Sequence, residues 1–320
     1  MVAVMPRLRT APLERTPLLD AIPVNRPTSL GRTVLAYIAL TKPRIIELLL
    51  VTTIPTMFVA KGGLPGLWLM IATLIGGTLA AGGANAINMY VDRDIDALMD
   101  RTKNRPLVTG AMSPRSALTF AISIEVLAFG WLTWQVNILS AVLAVSACLF
   151  YVFVYTLWLK RTSEQNIVIG GAAGAVPVLV GWSAVTNSLS WAPVLLFFVI
   201  FVWTPPHFWA LAVKYADDYR AAGVPMMPVV ASFERTANQI VAYTVVMWLA
   251  TLLFIPVGRM GPLYGISSVV LGAIFLGYSL HLRRVGRSGA STIKPAMRLF
   301  GWSITYLTLL FSAMALDQFV

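Results

Sequence analysis

Long apolar runs dominate the chain, and short polar connectors separate them. Nine runs are long enough, or nearly so, to cross a hydrocarbon core. They fall near residues 44–60, 67–88, 117–136, 138–159, 166–187, 190–213, 238–257, 263–282 and 299–317. The pattern predicts an all-α polytopic membrane domain, residues 34–320, with nine transmembrane helices around a central cavity. Residues 1–33 are polar and rich in Pro and Arg, without the short apolar core and cleavage site of a signal peptide. They are expected to form a disordered cytosolic tail.

Charge sharpens this picture. Only 12% of residues are charged, about half the share in a soluble domain. The net charge of +11 would suit nucleic acid, but its distribution argues for topology. Of 24 Lys and Arg residues, 22 lie in the N-terminal segment and alternate connectors; only Lys61 and Arg259 lie in the others. The positive-inside rule places the N-terminus and those connectors in the cytosol. Nine crossings then put the C-terminus outside. The expected setting is a bacterial inner membrane, with the lipid bilayer as a partner and no nucleic acid. The lone Cys148 excludes an internal disulfide and a cysteine-rich metal site.

Two cytosolic connectors, 89–116 and 214–237, begin with acids and continue with basic residues. In the first, four aspartates occupy nine positions: Asp92, Asp94, Asp96 and Asp100. Asn88, Asp92 and Asp96 are spaced i, i+4, i+8, and Asn85 lies about one turn earlier, so a helix aligns them on one face. Their position at a helix C-terminus opposes the helix dipole. Such an arrangement calls for a cation. An amide and two carboxylates are hard oxygen donors that suit Mg²⁺ shared with a substrate phosphate. A solvated helix end is the plainer alternative.

The second connector offers Asp217 and Asp218, with Lys214 one turn before Asp218. A Lys214–Asp218 surface pair is the ordinary reading. With Arg101, Lys103, Arg105 and Arg220 nearby, the two connectors together suit a metal–diphosphate site. Apolar spans beneath it would hold a hydrocarbon tail, which describes a prenyl diphosphate. Pro205 and Pro206 are expected to break or kink the sixth span. His207 follows them, a membrane-buried ionisable group and hence a functional candidate. The alternative is a histidine bonded to carbonyls freed by the prolines. Glu47 and Glu125 are expected to be paired or water-facing.

NxxxDxxxD followed by a basic loop resembles the UbiA-type intramembrane prenyltransferases. The strings TKPR (41–44), NMYVDRDIDALMDRTKNRPLVTG (88–110), QNIVIGGAAGAVPVLVGW (165–182) and PPHFWALAVKYADDYRAAGVPMMPVV (205–230) are similar to the haem-farnesylating branch of that family. The resemblance covers roughly residues 35–310. It implies farnesyl diphosphate and haem B as substrates and Mg²⁺ as cofactor. Haem A synthase or terminal oxidase assembly factors are the implied partners. It further implies metal ligation by Asn88, Asp92, Asp96, Asp217 and Asp218, and catalytic roles for Asp92, Asp96, Lys214 and Asp218. Substrate binding would involve Asn85, Arg101, Lys103, Arg105, His207, Tyr219 and Arg220. Lys214 stands where an acid would complete the family's second aspartate motif, and it is expected to contact diphosphate directly.

Two other readings fit the same residues. A prenyltransferase acting on an aromatic or quinone precursor would share the acidic mouth. A cation-coupled transporter would share the broken spans and intramembrane charge, but its carboxylates belong at mid-membrane rather than at one mouth.

Overall fold

The computed structural model describes residues 30–320, without the side chains of residues 44, 45 and 47–50. Of the expected tail at residues 1–33, residues 1–29 lie outside the described residues, as does the expected pairing of Glu47, whereas residues 30–33 are helical and begin the first helix. The described chain contains helices and no strand. In order these are α1 (Leu30–Thr41), α2 (Pro43–Lys61), α3 (Leu67–Val91), α4 (Arg93–Asp96) and α5 (Pro114–Gln135). Next come α6 (Ile138–Leu149), a π-helical stretch (Phe150–Leu159) and a final turn α7 (Lys160–Thr162). Then follow α8 (Asn166–Thr186), α9 (Trp191–Lys214), α10 (Ala216–Ala221) and α11 (Met227–Val230). The last three long helices are α12 (Phe233–Val257), α13 (Pro262–Arg287) and α14 (Ile293–Leu316).

Eight helices are long and apolar enough to cross a membrane: α3, α5, α6 continued through Thr162, α8, α9, α12, α13 and α14. With the family relationship reported below, they make this a multi-pass membrane protein. Helix α2, with 19 residues and an internal Pro55, occupies the position of the first apolar run.

Neighbouring helices pack in sequence, α3 on α5, α8 on α9, α9 on α12, α12 on α13 and α13 on α14. Helix α2 lies against α8 and α14 and closes the arrangement. Small residues allow the closest approaches. A Cβ on Gly181 would stand 2.6 Å from the Thr53 carbonyl oxygen, so only glycine lets α8 approach α2 there.

Helix α9 answers one expectation in part: the prolines do not break it. It runs unbroken from Trp191 to Lys214 through Pro205 and Pro206. Thr204 Oγ1 donates to the Ile200 carbonyl within the helix at 2.9 Å, and Trp203 Nε1 ties it to α14 by donating to the Ser303 carbonyl at 3.0 Å. Burial among α8, α12 and α14 holds the helical path where proline removes two of its own bonds.

Candidate active site

The aspartate face survives a change of element. Helix α3 ends at Val91, Asp92 is its C-cap, and α4 begins at Arg93. Backbone bonds Asp92 N–Asn88 O (2.9 Å) and Asp96 N–Asp92 O (2.8 Å) carry the helical spacing across the junction. Asn88, Asp92 and Asp96 thus stay in line, and both carboxylates are 0% exposed. Asn85 is also buried, and its Nδ2 donates to the Thr41 carbonyl at 3.1 Å.

Buried carboxylates require partners, and basic side chains from two other segments provide them. Lys160, at the end of the π-helical stretch, donates to Asp92 Oδ2. Arg105 Nη1, from the loop after α4, donates to Asp96 Oδ2. Arg161 grips Asp94 through two bonds of 2.7 Å and lies 3.8 Å from Asp92 Oδ1. Burial works against ionisation of Asp94, but the Arg161 hydrogen bond holds its carboxyl below the usual range. Lys42 Nζ donates to Asn88 Oδ1 at 2.7 Å. Desolvation, then Arg105 and Lys160, lower the Lys42 ammonium to about 7.

Local backbone geometry delivers two of these cations. Lys42 adopts a left-handed conformation (φ 52°, ψ 62°) between α1 and α2, sparsely populated for a residue with a Cβ. Pro43 disfavours a right-handed helical residue before it and helps fix the bend. The π-helical stretch positions Lys160. Five residues would be separated by about 140° around an α-helix, whereas an i→i+5 ladder brings them onto one face. Tyr151 and Thr156 are so spaced, as are Tyr155 and Lys160. Thr156 Oγ1 donates to the Tyr151 carbonyl at 2.8 Å and accepts from Asn88 Nδ2 at 3.0 Å. The Tyr151 and Tyr155 rings stack at 5.3 Å.

The second acidic connector meets the first through Arg101. Helices α3 and α9 are separated by α8, which packs on both. The Arg101 backbone N–H points to Asp218 Oδ2 at 3.4 Å, its guanidinium lies 5.6 Å from the Tyr215 ring centroid, and its side chain hydrogen-bonds Tyr219. Burial raises the Tyr219 phenol. Asp217 points away: its side chain is 98% exposed and pairs with Arg220 on its own helix. Lys103 pairs with exposed Asp100, so neither it nor Arg220 touches the buried carboxylates. Lys214 lies over the Tyr215 ring at 5.2 Å and forms no ion pair with Asp218.

His207 sits deeper in α9. Its Nδ1 meets Ser303 Oγ at 2.6 Å, and Ser303 Oγ donates to the Phe300 carbonyl. That chain places the proton on Nδ1 and leaves the Nε2 lone pair available. Trp203 and Phe300 both stack on the ring, with centroids at 4.3 and 4.7 Å. The Nδ1 partner is thus a serine on α14 rather than a carbonyl freed by the prolines. Glu125, expected to be paired or water-facing, does not face water: both carboxyl oxygens are buried, against Gly83 and beside the Cys148 thiol.

The residues present fit a divalent ion. Asp92 Oδ1 and Asp96 Oδ1 are buried and accept no hydrogen bond. Two free carboxylate oxygens beside an amide form a hard-donor set. Among the described residues no group of three or more His, Cys, Asp or Glu forms a metal cage. Water and substrate oxygens would complete the shell, as is usual for Mg²⁺.

Comparison with known proteins gives a consistent relationship. Residues 49–313 match the model of the UbiA prenyltransferase family. A protein from Kineococcus radiotolerans named protoheme IX farnesyltransferase is 52% identical, with 100% of this chain and 98% of that protein covered. One of the same name from Frankia alni is 56% identical, covering 89% and 98%. Among solved structures, a digeranylgeranylglyceryl phosphate synthase has TM-score 0.73 at 15% identity, covering 89% of this chain and 98% of that one. A UbiA homologue from Archaeoglobus fulgidus bound to DMAPP and Mg²⁺ has TM-score 0.60 at 18% identity, covering 86% and 99%. These structural likenesses establish a shared fold. The chain belongs to the UbiA prenyltransferase family.

Proposed function

We propose that this protein transfers the farnesyl group of farnesyl diphosphate to a vinyl group of haem B, with addition of water, giving haem O and diphosphate. The observation that carries the reading is the pair Asp92 and Asp96: fully buried, each with one oxygen that accepts no hydrogen bond and one held by a cation. Full-length relatives named protoheme IX farnesyltransferase support the choice of substrates.

Asn88, Asp92 and Asp96 would hold Mg²⁺, with Asp218 at the facing loop. When bound, the ion supplies Lewis-acid neutralisation of the leaving diphosphate. Lys42, Lys160 and Arg105 form the cationic rim. Each ends on an oxygen of the site, and each can turn to a phosphate oxygen in its place. Arg101, steadied by Tyr215 and Tyr219, covers the side facing α10.

The farnesyl C1–O bond breaks with its electron pair leaving on diphosphate. Tyr151 and Tyr155, stacked beside Lys160, present ring faces that stabilise an allylic cation. Enclosing helices keep water from quenching it early. The vinyl π electrons of haem form the new carbon–carbon bond, and water then adds to the neighbouring carbon and loses a proton. His207 has the free Nε2 to contact the haem. Mouth and basic connectors face the cytosol of a cell membrane, as the distribution of 22 of 24 basic residues supports. Haem A synthase or oxidase assembly factors would receive the product.

The test is product formation. Purified protein given farnesyl diphosphate and haem B yields a haem heavier by one farnesyl group and one hydroxyl group. A prenylated benzoate or naphthoate with no haem product would replace haem as the acceptor. Substrate uptake without turnover would replace the enzyme with a carrier.

A further inference from the structure

The first turn of α8 is buried and leaves two backbone N–H groups without an acceptor among the described residues. Its N-cap residue, Gln165, makes no side-chain cap. The Asn166 N–H reaches the Ser163 carbonyl at 3.2 Å, and Ile169 N begins the helical ladder on the Gln165 carbonyl. Among the described residues no acceptor meets the N–H groups of Ile167 or Val168, which are 4% and 8% exposed. Helix ends buried in this way are satisfied by water or by ligands.

Asn166 is a second and independent sign. It is 0% exposed, and neither its Nδ2 nor its Oδ1 has a hydrogen-bond partner. Side chains on a helix lean toward its N-terminus, so this unpaired amide is directed toward the same helix end. An amide buried without partners is costly and rare. The nearest acid along the chain, Glu164, is committed to Arg235 at 2.7 Å and does not serve the helix end.

The fold itself shows which group suits such an end. At the N-terminus of α13, the Asp317 carboxylate accepts from the N–H groups of Gly261 and Tyr264. At α8 no protein carboxylate does so. The connector before it carries Lys160 and Arg161, which hold Asp92 and Asp94. Asn166 thus lies at the same end of the bundle as the candidate active site, and is as fully enclosed as Asp92 and Asp96.

We propose that Asn166 and the first turn of α8 form an anion subsite for one charged oxygen group of a substrate. Two sources share that chemistry: a phosphate of the prenyl diphosphate and a propionate carboxylate of the porphyrin acceptor. Helix dipole and free N–H groups favour either one, and Asn166 Nδ2 adds a donor. The inference rests on the functional reading above and adds a contact to it.

The test uses full-length Asn166→Leu, with Asn166→Ala as the second variant should leucine prevent accumulation. Thermal stability stays level or rises, because an apolar side chain removes an unpaired buried amide. Equilibrium binding is measured without turnover, using farnesyl thiodiphosphate and haem B. Binding of one of them weakens by about tenfold, the scale of one lost hydrogen bond to a charged group. Weaker thiodiphosphate binding assigns the phosphate. Weaker haem binding, with haem dimethyl ester bound equally by both proteins, assigns the propionate. Variant protein that binds both ligands as tightly as wild type overturns the subsite, whatever its stability. Wild-type protein that binds neither ligand overturns the functional reading, and the subsite's substrates with it.

Discussion

Lys160 donates to Asp92, a buried pair that joins the end of the π-helical stretch to the C-cap of α3. Removing one member leaves the other charged and enclosed, at a cost of about 3–5 kcal/mol. Lys160→Met should therefore unfold at markedly lower temperature in detergent. Adding Asp92→Asn should recover most of that stability, and activity should stay absent. Stability unchanged in Lys160→Met would mean that the pair does not form.

Asp92→Asn and Asp96→Asn each keep the size of the side chain and remove a metal-binding charge. Turnover should fall at least about a thousandfold, the scale seen when a central electrostatic group is lost. Membrane insertion, read from the yield of folded protein, should persist. Activity within tenfold of wild type in both variants would remove the metal assignment.

Adjacent acids of the second connector should differ. Asp217 is almost fully exposed and pairs locally with Arg220, whereas Asp218 faces Arg101. Asp217→Asn should leave kcat/KM within about threefold, in line with a weak surface pair. Asp218→Asn should lower it by about tenfold or more through loss of the contact to Arg101. Equal losses would mean that both carboxylates enter the site.

The Asp94–Arg161 fork gives a pH signature. The folded-state carboxyl is held below its ordinary value, so the pair stabilises the protein above about pH 4. That contribution is lost as pH falls through the lower folded-state value. Asp94→Asn should lose about 1 kcal/mol near neutral pH, since the pair is partly exposed. Its thermal stability should also fall less steeply than that of wild type between pH 5 and pH 3, read by parallel melting curves. Identical pH slopes would rule out the fork as the cause.

Much of this site was legible along the chain, because its core lies within one helical face. Asn88, Asp92 and Asp96 follow each other at one-turn spacing, and their mutual alignment needed no tertiary knowledge. Cations were harder. Lys160 and Arg161 read as ordinary topology residues at the end of a span, and only the fold brings Lys160 across 68 positions to Asp92 and Arg161 across 67 to Asp94. Lys42 lies 46 positions from Asn88 and reaches it through a left-handed bend that no periodicity announces. The π-helical register is hidden for a similar reason: an apolar run with few polar markers carries no visible period. Asp217 and Asp218 are neighbours on one helix and point about 100° apart, so one alone could face Arg101. Asn166 left no signal of its own, since an unpaired amide can be recognised only once its surroundings are known.

Metal dependence of diphosphate release bears most directly on the central claim, that Asp92 and Asp96 ready a prenyl diphosphate for ionisation. Purified protein with farnesyl diphosphate and haem B is assayed for released diphosphate in Mg²⁺, in EDTA, and after Mg²⁺ is restored. Release should fall to background in EDTA and return with Mg²⁺, and Asp92→Asn should stay at background throughout. Undiminished release in EDTA, or full release by Asp92→Asn, would contradict the account.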